Sequence, residues 1–386
     1  MRYVPRLLAA ELVRAARQFP VVLLTGPRRA GKTTLLRREF PEAEWVLLED
    51  PEVLSRVRAD PRGFLDGLTA PVILDEVQSA PELLAYVRAR VDARPRRTGR
   101  WLLTGSQEAP LMRGVTESLA GRAAILHLLP FSTAEAPRVG LLRGGYPEVV
   151  ARPAAAATWF RSYVQTYLER DVRAVTGIRD LATFRRFLAL VASRMGQLLN
   201  KTELAAPLGV SVPTVSQWLS ILEITGQILL VPPFFESFGK RLVKSPKLYF
   251  VDSGLACHLL GIETERALGA SPFLGPLFEG FVAAEIAKAQ ASAGRRVDLY
   301  HFRDQQGLEV DFVVPAGHRQ LLLIEAKASR TVRPGDATPP LRLGCAVSGY
   351  GVTHLVVHRP GPATGARDVL RPGVRAIGVQ SLASLV

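Results

Sequence analysis

The chain has 386 residues, a formal net charge of +14, and 48% hydrophobic residues. That length suffices for two or three domains with cores of their own. The two cysteines, Cys257 and Cys345, are too few for a disulfide framework or a cysteine-based metal cluster, which favours a reducing cytoplasm. The amino-terminal residues lack the apolar core of a signal peptide, and no run approaches the roughly 18 apolar residues of a membrane span. We therefore expect a cytoplasmic protein with no membrane partner.

The positive charge is spread along the whole chain rather than gathered in one tail. A basic protein attracts polyanions, so the charge favours nucleic acid as a partner. A generally arginine-rich proteome would produce the same net charge, and the charge alone therefore does not identify the partner.

Short apolar runs alternate with helical patterns through the first third of the chain. This alternation predicts an α/β fold with a parallel sheet. The predicted strands are residues 21–25, 45–48, 72–75, 101–104 and 125–129.

A complete P-loop follows the first predicted strand. Residues 26–33 read Gly-Pro-Arg-Arg-Ala-Gly-Lys-Thr, the pattern of a loop that holds a triphosphate. Gly26 and Gly31 let backbone N–H groups turn toward the phosphates. Lys32 would reach the β- and γ-phosphates, and Thr33 would offer its hydroxyl to Mg²⁺ at the start of a helix. The residues predicted to bind ATP are Gly26, Pro27, Arg28, Arg29, Ala30, Gly31, Lys32, Thr33, Thr34 and Asp75.

The third predicted strand ends in two carboxylates. Residues 72–76 read Val-Ile-Leu-Asp-Glu, the Walker B arrangement. Asp75 would hold Mg²⁺ through water and Thr33, and Glu76 would act as the general base for the attacking water. An acidic pair at a strand end is also a common helix cap. The P-loop upstream favours the catalytic interpretation.

Two further residues are candidates for sensing or stabilising the γ-phosphate. Ser106 follows the fourth strand, where a polar sensor belongs, although turn chemistry explains Gly105-Ser106 equally well. Arg122 precedes the fifth strand and is the first candidate for an arginine that completes a neighbouring subunit's site, with Arg113 in reserve. A solvated arginine is the alternative.

Residues 150–200 read as helix, with aromatic residues at helical spacing. Trp159, Tyr163, Tyr167, Phe184 and Phe187 are more consistent with a core than with base-stacking platforms.

Residues 201–250 carry a helix-turn-helix signature. The turn falls at 208–210, and Val215, Leu219 and Leu222 of the second helix would pack inward. Its other face could enter a DNA groove, and a basic run downstream would contact phosphates as a wing. A solvated face or a protein–protein module is the alternative. The predicted DNA-binding residues are Ser211, Thr214, Gln217, Lys240, Arg241, Lys244 and Lys247.

The last 120 residues contain a second candidate active site. Two apolar segments, 308–314 and 321–327, read as strands that carry Asp311 and the pair Glu325 and Lys327. Alternation along a strand places Glu325 and Lys327 on one face, as a metal-dependent nuclease requires. Glu279, in an upstream helical segment, would be a third acid. We expect Glu279, Asp311 and Glu325 to bind a divalent metal and Lys327 to orient water. The alternative is a degenerate nuclease fold that retains its acids as internal salt bridges or merely binds DNA.

The order of these motifs resembles the bacterial and archaeal AAA ATPases that are fused to an uncharacterised C-terminal domain. The resemblance spans nearly the whole chain. Its segments are Thr25–Leu36, Leu74–Gln78, Leu103–Gln107, Gly144–Glu148, Tyr167–Val172, Tyr249–Gly254, Phe278–Ile286, Leu308–Val313 and Ile324–Lys327.

The resemblance implies an AAA+ module, then a winged helix, then a restriction-endonuclease-like α/β fold of the PD-(D/E)XK type. The predicted domains are an AAA+ nucleotide-binding core (1–145), a helical lid (146–200), a winged helix-turn-helix (201–262) and a nuclease-like domain (263–386).

The motifs leave three functions open. The leading one is an ATP-hydrolysing, Mg²⁺-dependent motor that unwinds or branch-migrates DNA as a homo-oligomeric ring, expected to be a hexamer, with a terminal domain that grips or cuts DNA. The second is a nucleotide-gated DNA-binding regulator without motor activity. The third is a protein-remodelling ATPase that recruits clients through its C-terminal domains.

Overall fold

The computed structural model describes residues 3–105, 117–168, 181–234, 245–347, 349–359 and 369–386. The chain forms two compact units. The first comprises Met1–Pro130, Ile224–Gly226 and Ala291–Arg295, and the second comprises Phe131–Glu223, Gln227–Gln290 and Arg296–Val386. The segments predicted as lid, helix-turn-helix and terminal domain thus fall almost entirely in the second unit. Within the described residues, no helix is both long enough and apolar enough to cross a bilayer.

A five-stranded parallel sheet forms the centre of the first unit. Its strands are β1 (Val21–Thr25), β2 (Glu44–Leu47), β3 (Val72–Asp75), β4 (Trp101–Thr104) and β5 (Ala123–His127). They are arranged in the order β2-β3-β4-β1-β5. All five predicted strands are present, with ends displaced by at most two residues. The predicted α/β fold with a parallel sheet is confirmed.

The sheet of the first unit is covered on both faces. Helices α1 (Ala9–Gln18) and α2 (Lys32–Glu39) pack on the side chains of Val22 and Leu24, and the opposite face, with Val21 and Leu23, packs on the remaining helices. These are α3 (Pro51–Ala59), α4 (Pro61–Asp66) and α5 (Leu83–Ala93). Because both faces are covered, the strands are continuous apolar runs, as expected for a buried parallel sheet.

The second unit begins with helices that pack around aromatic side chains. The helices are α6 (Pro147–Ala151), α7 (Ala156–Tyr163) and α8 (Leu181–Ser193), and the π-helix Val164–Leu168 directly follows α7. Phe184 and Phe187 are fully buried against Trp218, and the rings of Trp159 and Tyr163 are stacked. The prediction that these aromatics form core is confirmed for Tyr163, Phe184 and Phe187, whereas Trp159 is half-buried and the side chain of Tyr167 lies outside the described residues.

Two short helices and a two-stranded antiparallel sheet follow α8. They are α9 (Lys201–Ala205), α10 (Val212–Ile224), β6 (Ile228–Val231) and β7 (Lys247–Phe250). Gly209 supplies the left-handed residue between the helices, with φ 65°. The inward side chains Val215, Leu219 and Leu222 are buried as predicted.

Helices α11 (Ser253–Leu259), α12 (Glu265–Ala270) and α13 (Leu274–Ser292) lead into a six-stranded mixed sheet. Its order is β12-β13-β11-β10-β9-β8, with α14 (Thr338–Ala346) between β10 and β11 in the chain. The strands are β8 (Tyr300–Arg303), β9 (Glu309–Pro315), β10 (Gln320–Lys327), β11 (Gly351–His358), β12 (Val369–Arg371) and β13 (Val374–Gly378). Strands β9 and β10 correspond to the two predicted acid-bearing strands.

Asp252 is a buried structural carboxylate in the second unit. It accepts hydrogen bonds from the backbone N–H groups of Gly145 (2.7 Å) and Leu255 (3.0 Å), and it caps α11. The side chain is 1% exposed, so its loss would leave buried N–H groups without a partner.

We predict that Asp252→Ala lowers the free energy of unfolding by about 2–3 kcal/mol, because a cap and a buried acceptor disappear together. Asn200→Ala is the matched control. Asn200 caps α9 through Thr202 and Glu203 N–H groups but is exposed, so its loss should cost only about 1 kcal/mol. Urea unfolding of both variants measures the difference, and equal losses would contradict the role assigned to burial.

Candidate functional sites

The P-loop connects the carboxyl end of β1 to the amino end of α2. Gly26 has φ 138°, and a Cβ atom there would lie 2.1 Å from the carbonyl oxygen of Leu128. Gly31 has φ 98° and directly precedes the helix. The Lys32 ammonium donates to the carbonyl oxygens of Gly26 (3.0 Å) and Pro27 (3.1 Å). The loop therefore wraps around its lysine, and α2, whose first N–H groups have no intrahelical partner, begins directly after Gly31.

The remaining predicted loop residues have mixed surroundings. Arg28 is 9% exposed and forms an ion pair with Glu49 at 3.4 Å. Arg29 has a left-handed backbone (φ 64°), and the carbonyl oxygen of Ala30 accepts from Arg6 at 2.9 Å. Thr34 is exposed in the first turn of α2.

Thr33 and Asp75 meet beneath the P-loop. The Thr33 hydroxyl lies 2.9 Å from both carboxylate oxygens of Asp75, and the Trp45 indole N–H donates to the same carboxylate at 3.3 Å. A hydroxyl and a carboxylate at the edge of a phosphate-binding loop are hard oxygen ligands of the kind that Mg²⁺ prefers. The residues present therefore fit ATP and Mg²⁺.

Thr104, at the carboxyl end of β4, is a site residue that the sequence patterns did not single out. Its hydroxyl donates to Asp75 and accepts from the Glu76 N–H at 3.1 Å, and its side chain is fully buried. The available signal was a polar residue at the end of an apolar strand, next to the strand that carries Asp75. Ser106, the predicted sensor two residues later, lies outside the described residues.

Glu76 has a left-handed backbone, with φ 58° and ψ 50°. This conformation is uncommon for a residue with a side chain and often marks a functional position. The Gln78 side chain donates to the Glu76 carboxylate at 2.5 Å. Glu76 is thus oriented by Thr104 through its backbone and by Gln78 through its side chain.

Arg122 lies at the amino end of β5, whereas the P-loop follows the carboxyl end of the neighbouring strand β1. A strand of this length separates the two edges by roughly 15 Å. The guanidinium group instead pairs with both carboxylate oxygens of Asp92, at 2.6 and 3.2 Å. Arg122 therefore lies away from the phosphate site of its own chain. The reserve candidate, Arg113, falls outside the described residues.

The predicted DNA-facing residues of α10 are at or near its amino end. Ser211 and Thr214 bond to each other (2.8 Å), and the Ser211 hydroxyl caps the helix by accepting from the Thr214 N–H (3.2 Å). Gln217 is exposed, and Trp218 beside it is buried. Lys240, Arg241 and Lys244 are not among the described residues.

The prediction that Lys247 is a wing cation that contacts DNA is wrong. Lys247 is 2% exposed at the start of β7, and its ammonium lies 2.8 Å from Glu279, 2.6 Å from Glu309 and 3.8 Å from Asp311. Burial alone would lower its pKa, but the carboxylates of Glu279, Asp311 and Glu309 outweigh burial and raise it. Lys247 ends a basic run in the sequence, but it begins β7, which pairs with β6, and its side chain is turned inward.

Asp311 and Glu325 line one cleft of about 300 Å³, together with Thr338 and Arg342 of α14. The register Phe312 to Ile324 places Asp311 opposite Glu325 on the next rung of the β9–β10 ladder. Asp311 accepts from the Ala326 N–H at 2.8 Å. The prediction that these two acids converge agrees with this geometry.

The other two members of the predicted nuclease-like set have separate partners. Lys327 donates to Glu325 at 2.6 Å. Glu279 accepts from Lys247 and from the Tyr249 hydroxyl. Burial, followed by the neighbouring Glu279 and Glu325, raises the pKa of Asp311 well above its usual range. Burial also raises the pKa of Glu325 despite the ion pair with Lys327.

The three predicted metal ligands, Glu279, Asp311 and Glu325, do not form a metal site. Within the described ranges, no group of three or more His, Cys, Asp or Glu side chains is arranged to hold a metal ion. The ammonium of Lys247 lies between Glu279 and Asp311 instead. The acid residues in their present arrangement therefore do not fit the metal that the nuclease-like pattern predicted.

Comparison with known proteins agrees with the P-loop geometry. A family described as "AAA domain" matches residues 18–136. Two domains of unknown function, DUF8612 and DUF4143, match residues 136–266 and 274–357. The uncharacterized protein Rv2008c of Mycobacterium tuberculosis is 39% identical over 321 residues, which cover 81% of this chain and 71% of that protein. The chain belongs to the family of this protein. The uncharacterized protein Mb2031c of Mycobacterium bovis matches equally well.

Two solved structures, both less than 20% identical in sequence, align with more than half of this chain. The Walker-type ATPase PABY2304 of Pyrococcus abyssi is 17% identical, with a TM-score of 0.45 over 65% of this chain and 94% of that one. The Thermotoga maritima RuvB Holliday junction branch migration motor is 18% identical, with a TM-score of 0.31 over 58% and 89%. These TM-scores are low, so the two structures carry no argument here. We describe the chain as an AAA-type P-loop ATPase because of the AAA family match, the P-loop and the order of the sheet strands.

We predict that Thr104→Val lowers the ATPase rate by about 10- to 100-fold, because Asp75 and the Glu76 backbone lose a shared partner while the residue's volume is kept. The variant should also need more Mg²⁺ for half-maximal rate. Steady-state hydrolysis over a Mg²⁺ titration measures both effects. Thr104→Ser keeps the hydroxyl and should retain most of the activity; a wild-type Mg²⁺ profile in Thr104→Val would show that the hydroxyl positions nothing.

Proposed function

We propose that this chain is an AAA+ motor that hydrolyses ATP and uses the cycle to remodel DNA, by unwinding or by branch migration. The assignment of ATPase activity rests on the contact of the Thr33 hydroxyl with both carboxylate oxygens of Asp75, next to the P-loop. This contact brings together a hydroxyl and a carboxylate from two separate elements, α2 and β3, at the position where a nucleotide-bound cation would lie.

The residues of the site would divide the work of hydrolysis. Thr33 and Asp75 would hold Mg²⁺, which would supply positive charge against the negative charge that develops on the phosphates. Lys32 would exchange its two carbonyl partners for phosphate oxygens. Glu76 would accept a proton from the attacking water, and Gln78 holds the carboxylate that performs this step. Thr104 would hold the Asp75 carboxylate and the Glu76 backbone in position relative to each other.

The helices α8, α9 and α10 with the β6–β7 pair support a winged helix-turn-helix as the DNA-binding part. One face of α10 is buried through Val215, Trp218 and Leu219, and the opposite face exposes Gln217. A helix with one buried and one polar face at this position is suited to the major groove. The net charge of +14 adds a general attraction to phosphates.

We further propose that the mixed sheet β8–β13 with α13 and α14 is a restriction-endonuclease-like domain that grips DNA rather than cuts it. The support is the acid-bearing strand pair β9–β10, with Asp311 and Glu325 in one cleft. The ion pairs of Lys247 favour gripping over cutting, because the acids already have a cation.

A homo-oligomeric ring, a hexamer in our proposal, would give Arg122 its role. Because it lies at the edge of the sheet opposite the P-loop, Arg122 could stabilise transition-state charge only in a neighbouring subunit's site. It would first have to leave Asp92.

The same ion pair is the observation that favours a second candidate function. If Arg122 stays with Asp92, the chain would hydrolyse ATP slowly and act as a nucleotide-gated DNA-binding regulator without motor activity. A motor should show an ATPase rate raised several-fold by DNA, whereas a regulator should hydrolyse slowly with or without it.

We expect Lys32→Ala to lose ATP binding and turnover, since the fixed cation on the phosphates is gone. Glu76→Gln should bind ATP nearly normally but hydrolyse it at least about 100-fold more slowly, because only the water-activating charge is removed. Nucleotide binding and steady-state turnover distinguish the two effects. Glu82→Gln, an exposed acid that follows the same strand, is the control and should behave as wild type. Hydrolysis retained in both site variants would refute the assignment.

We expect Gln217→Glu to weaken DNA binding by about fivefold or more, because it places a negative charge on the face of α10 proposed to lie against DNA. ATP binding without DNA should not change. Fluorescence anisotropy with single-stranded, duplex and branched DNA measures the affinity.

Gln380→Glu makes the same chemical change at an exposed position near the carboxyl terminus, and it should leave DNA affinity within about twofold. Equal DNA affinities in both variants would show that α10 is not part of the DNA interface. Absence of DNA binding by the wild-type chain would favour the protein-remodelling alternative.

A further inference from the structure

Lys247 occupies the centre of a cluster of acidic side chains. Its ammonium lies within 4 Å of Glu279, Glu309 and Asp311, and its side chain is almost completely buried. The contacts with Glu279 (2.8 Å) and Glu309 (2.6 Å) are within hydrogen-bonding distance, whereas the contact with Asp311 (3.8 Å) is an ion pair alone. Tyr249, two residues along β7 on the same face, donates to Glu279 as well. Strand β7 thus supplies the cation and a second donor to acids carried by α13 and β9.

The buried Lys247 ammonium places a single positive charge among the carboxylates for which the sequence pattern predicts a divalent metal. A cluster of buried carboxylates is strongly repulsive unless a cation enters it, and here the chain itself supplies that cation. A divalent ion bound by Asp311 would lie close to the ammonium, and like charges at that distance repel strongly in a partly buried site. The two cations therefore compete for one position.

We propose that Lys247 is the resident counter-cation of this cluster and replaces the divalent metal that the acidic sequence pattern predicts. The cluster is then a structural ion-pair network within the second unit rather than a metal-dependent catalytic centre. All residues of this network belong to the second unit, and its structural role is the same whether or not the chain acts on DNA.

The geometry also indicates what the cluster would become without the ammonium. The Oε2 atom of Glu325 is buried, has no hydrogen-bond partner and belongs to a side chain that lines the 300 Å³ cleft with Asp311. The oxygen atoms of Glu325, Asp311 and Glu279 would then lack the Lys247 ammonium, while Lys327 would still pair with Glu325 through Oε1 at 2.6 Å. Such a set suits a hard divalent cation such as Mg²⁺ or Mn²⁺.

The test is a titration of the nucleotide-free, full-length chain with Mn²⁺. Isothermal titration calorimetry measures Mn²⁺ binding, and thermal unfolding measures its effect on stability. Asp75→Asn serves as the background, because it removes the carboxylate of the P-loop site. This background should show no saturable Mn²⁺ binding. Adding Lys247→Met should create one Mn²⁺ site per chain, at least about tenfold tighter than any binding in the background, and Mn²⁺ should raise the unfolding midpoint.

Two controls define the site. Asp311→Asn on top of Lys247→Met should abolish the new Mn²⁺ site, and Lys201→Met, the same substitution at an exposed lysine, should create none. Should Lys247→Met fail to fold, Lys247→Met with Glu309→Gln removes one charge of each sign and is titrated in its place.

Two outcomes would overturn the proposal. One is a stoichiometric Mn²⁺ site in the Asp75→Asn background that Asp311→Asn or Glu325→Gln abolishes, since the metal would then bind with Lys247 in place. The other is a folded Lys247→Met variant, alone or with Glu309→Gln, that gains no Mn²⁺ affinity. The first measurement needs no variant at position 247, so it decides the proposal even if both Lys247 variants unfold.

Discussion

The carboxylate of Asp75 is the interaction on which the nucleotide site depends. It accepts from Thr33 of α2, Thr104 of β4 and Trp45 of β2, so one buried group joins four elements that are far apart in the chain. The sheet order makes this possible, because β3 lies between β2 and β4, and β1 lies between β4 and β5. Carboxyl ends of parallel strands share one edge, and the polar residues at those ends therefore meet.

The sequence was sufficient for this first site because its signals are local. Eight consecutive residues define the P-loop, and an apolar strand that ends in Asp75 and Glu76 defines the second half. Thr104 and Gln78 were missed for a different reason. Their roles arise from the pairing of β4 beside β3 and from the left-handed backbone of Glu76, and neither feature is visible in a single run of residues.

In the second unit, the acid-bearing strands were predicted correctly but the cation beside the acids was not. Strands β9 and β10 and the convergence of Asp311 with Glu325 were predictable, because alternation along two adjacent strands determines which faces the acids share. The cation beside them was not predictable. Lys247 comes from a strand more than sixty residues upstream of Asp311, and within its own basic run it resembles a solvated or phosphate-contacting residue. Only tertiary packing turns it inward.

The two acidic sites therefore differ in how they are neutralised. Around Asp75 the partners are hydroxyl and indole groups, which carry no net charge, so the carboxylate keeps its capacity to attract a metal-bound nucleotide. Around Asp311 a nearby partner is the Lys247 ammonium, which offsets part of the negative charge of the acidic cluster and lies between Glu279 and Asp311. Carboxylates carried by strands can thus serve ligand exchange in one unit and structural ion pairing in the other. The neighbouring side chain, neutral or cationic, decides between these outcomes.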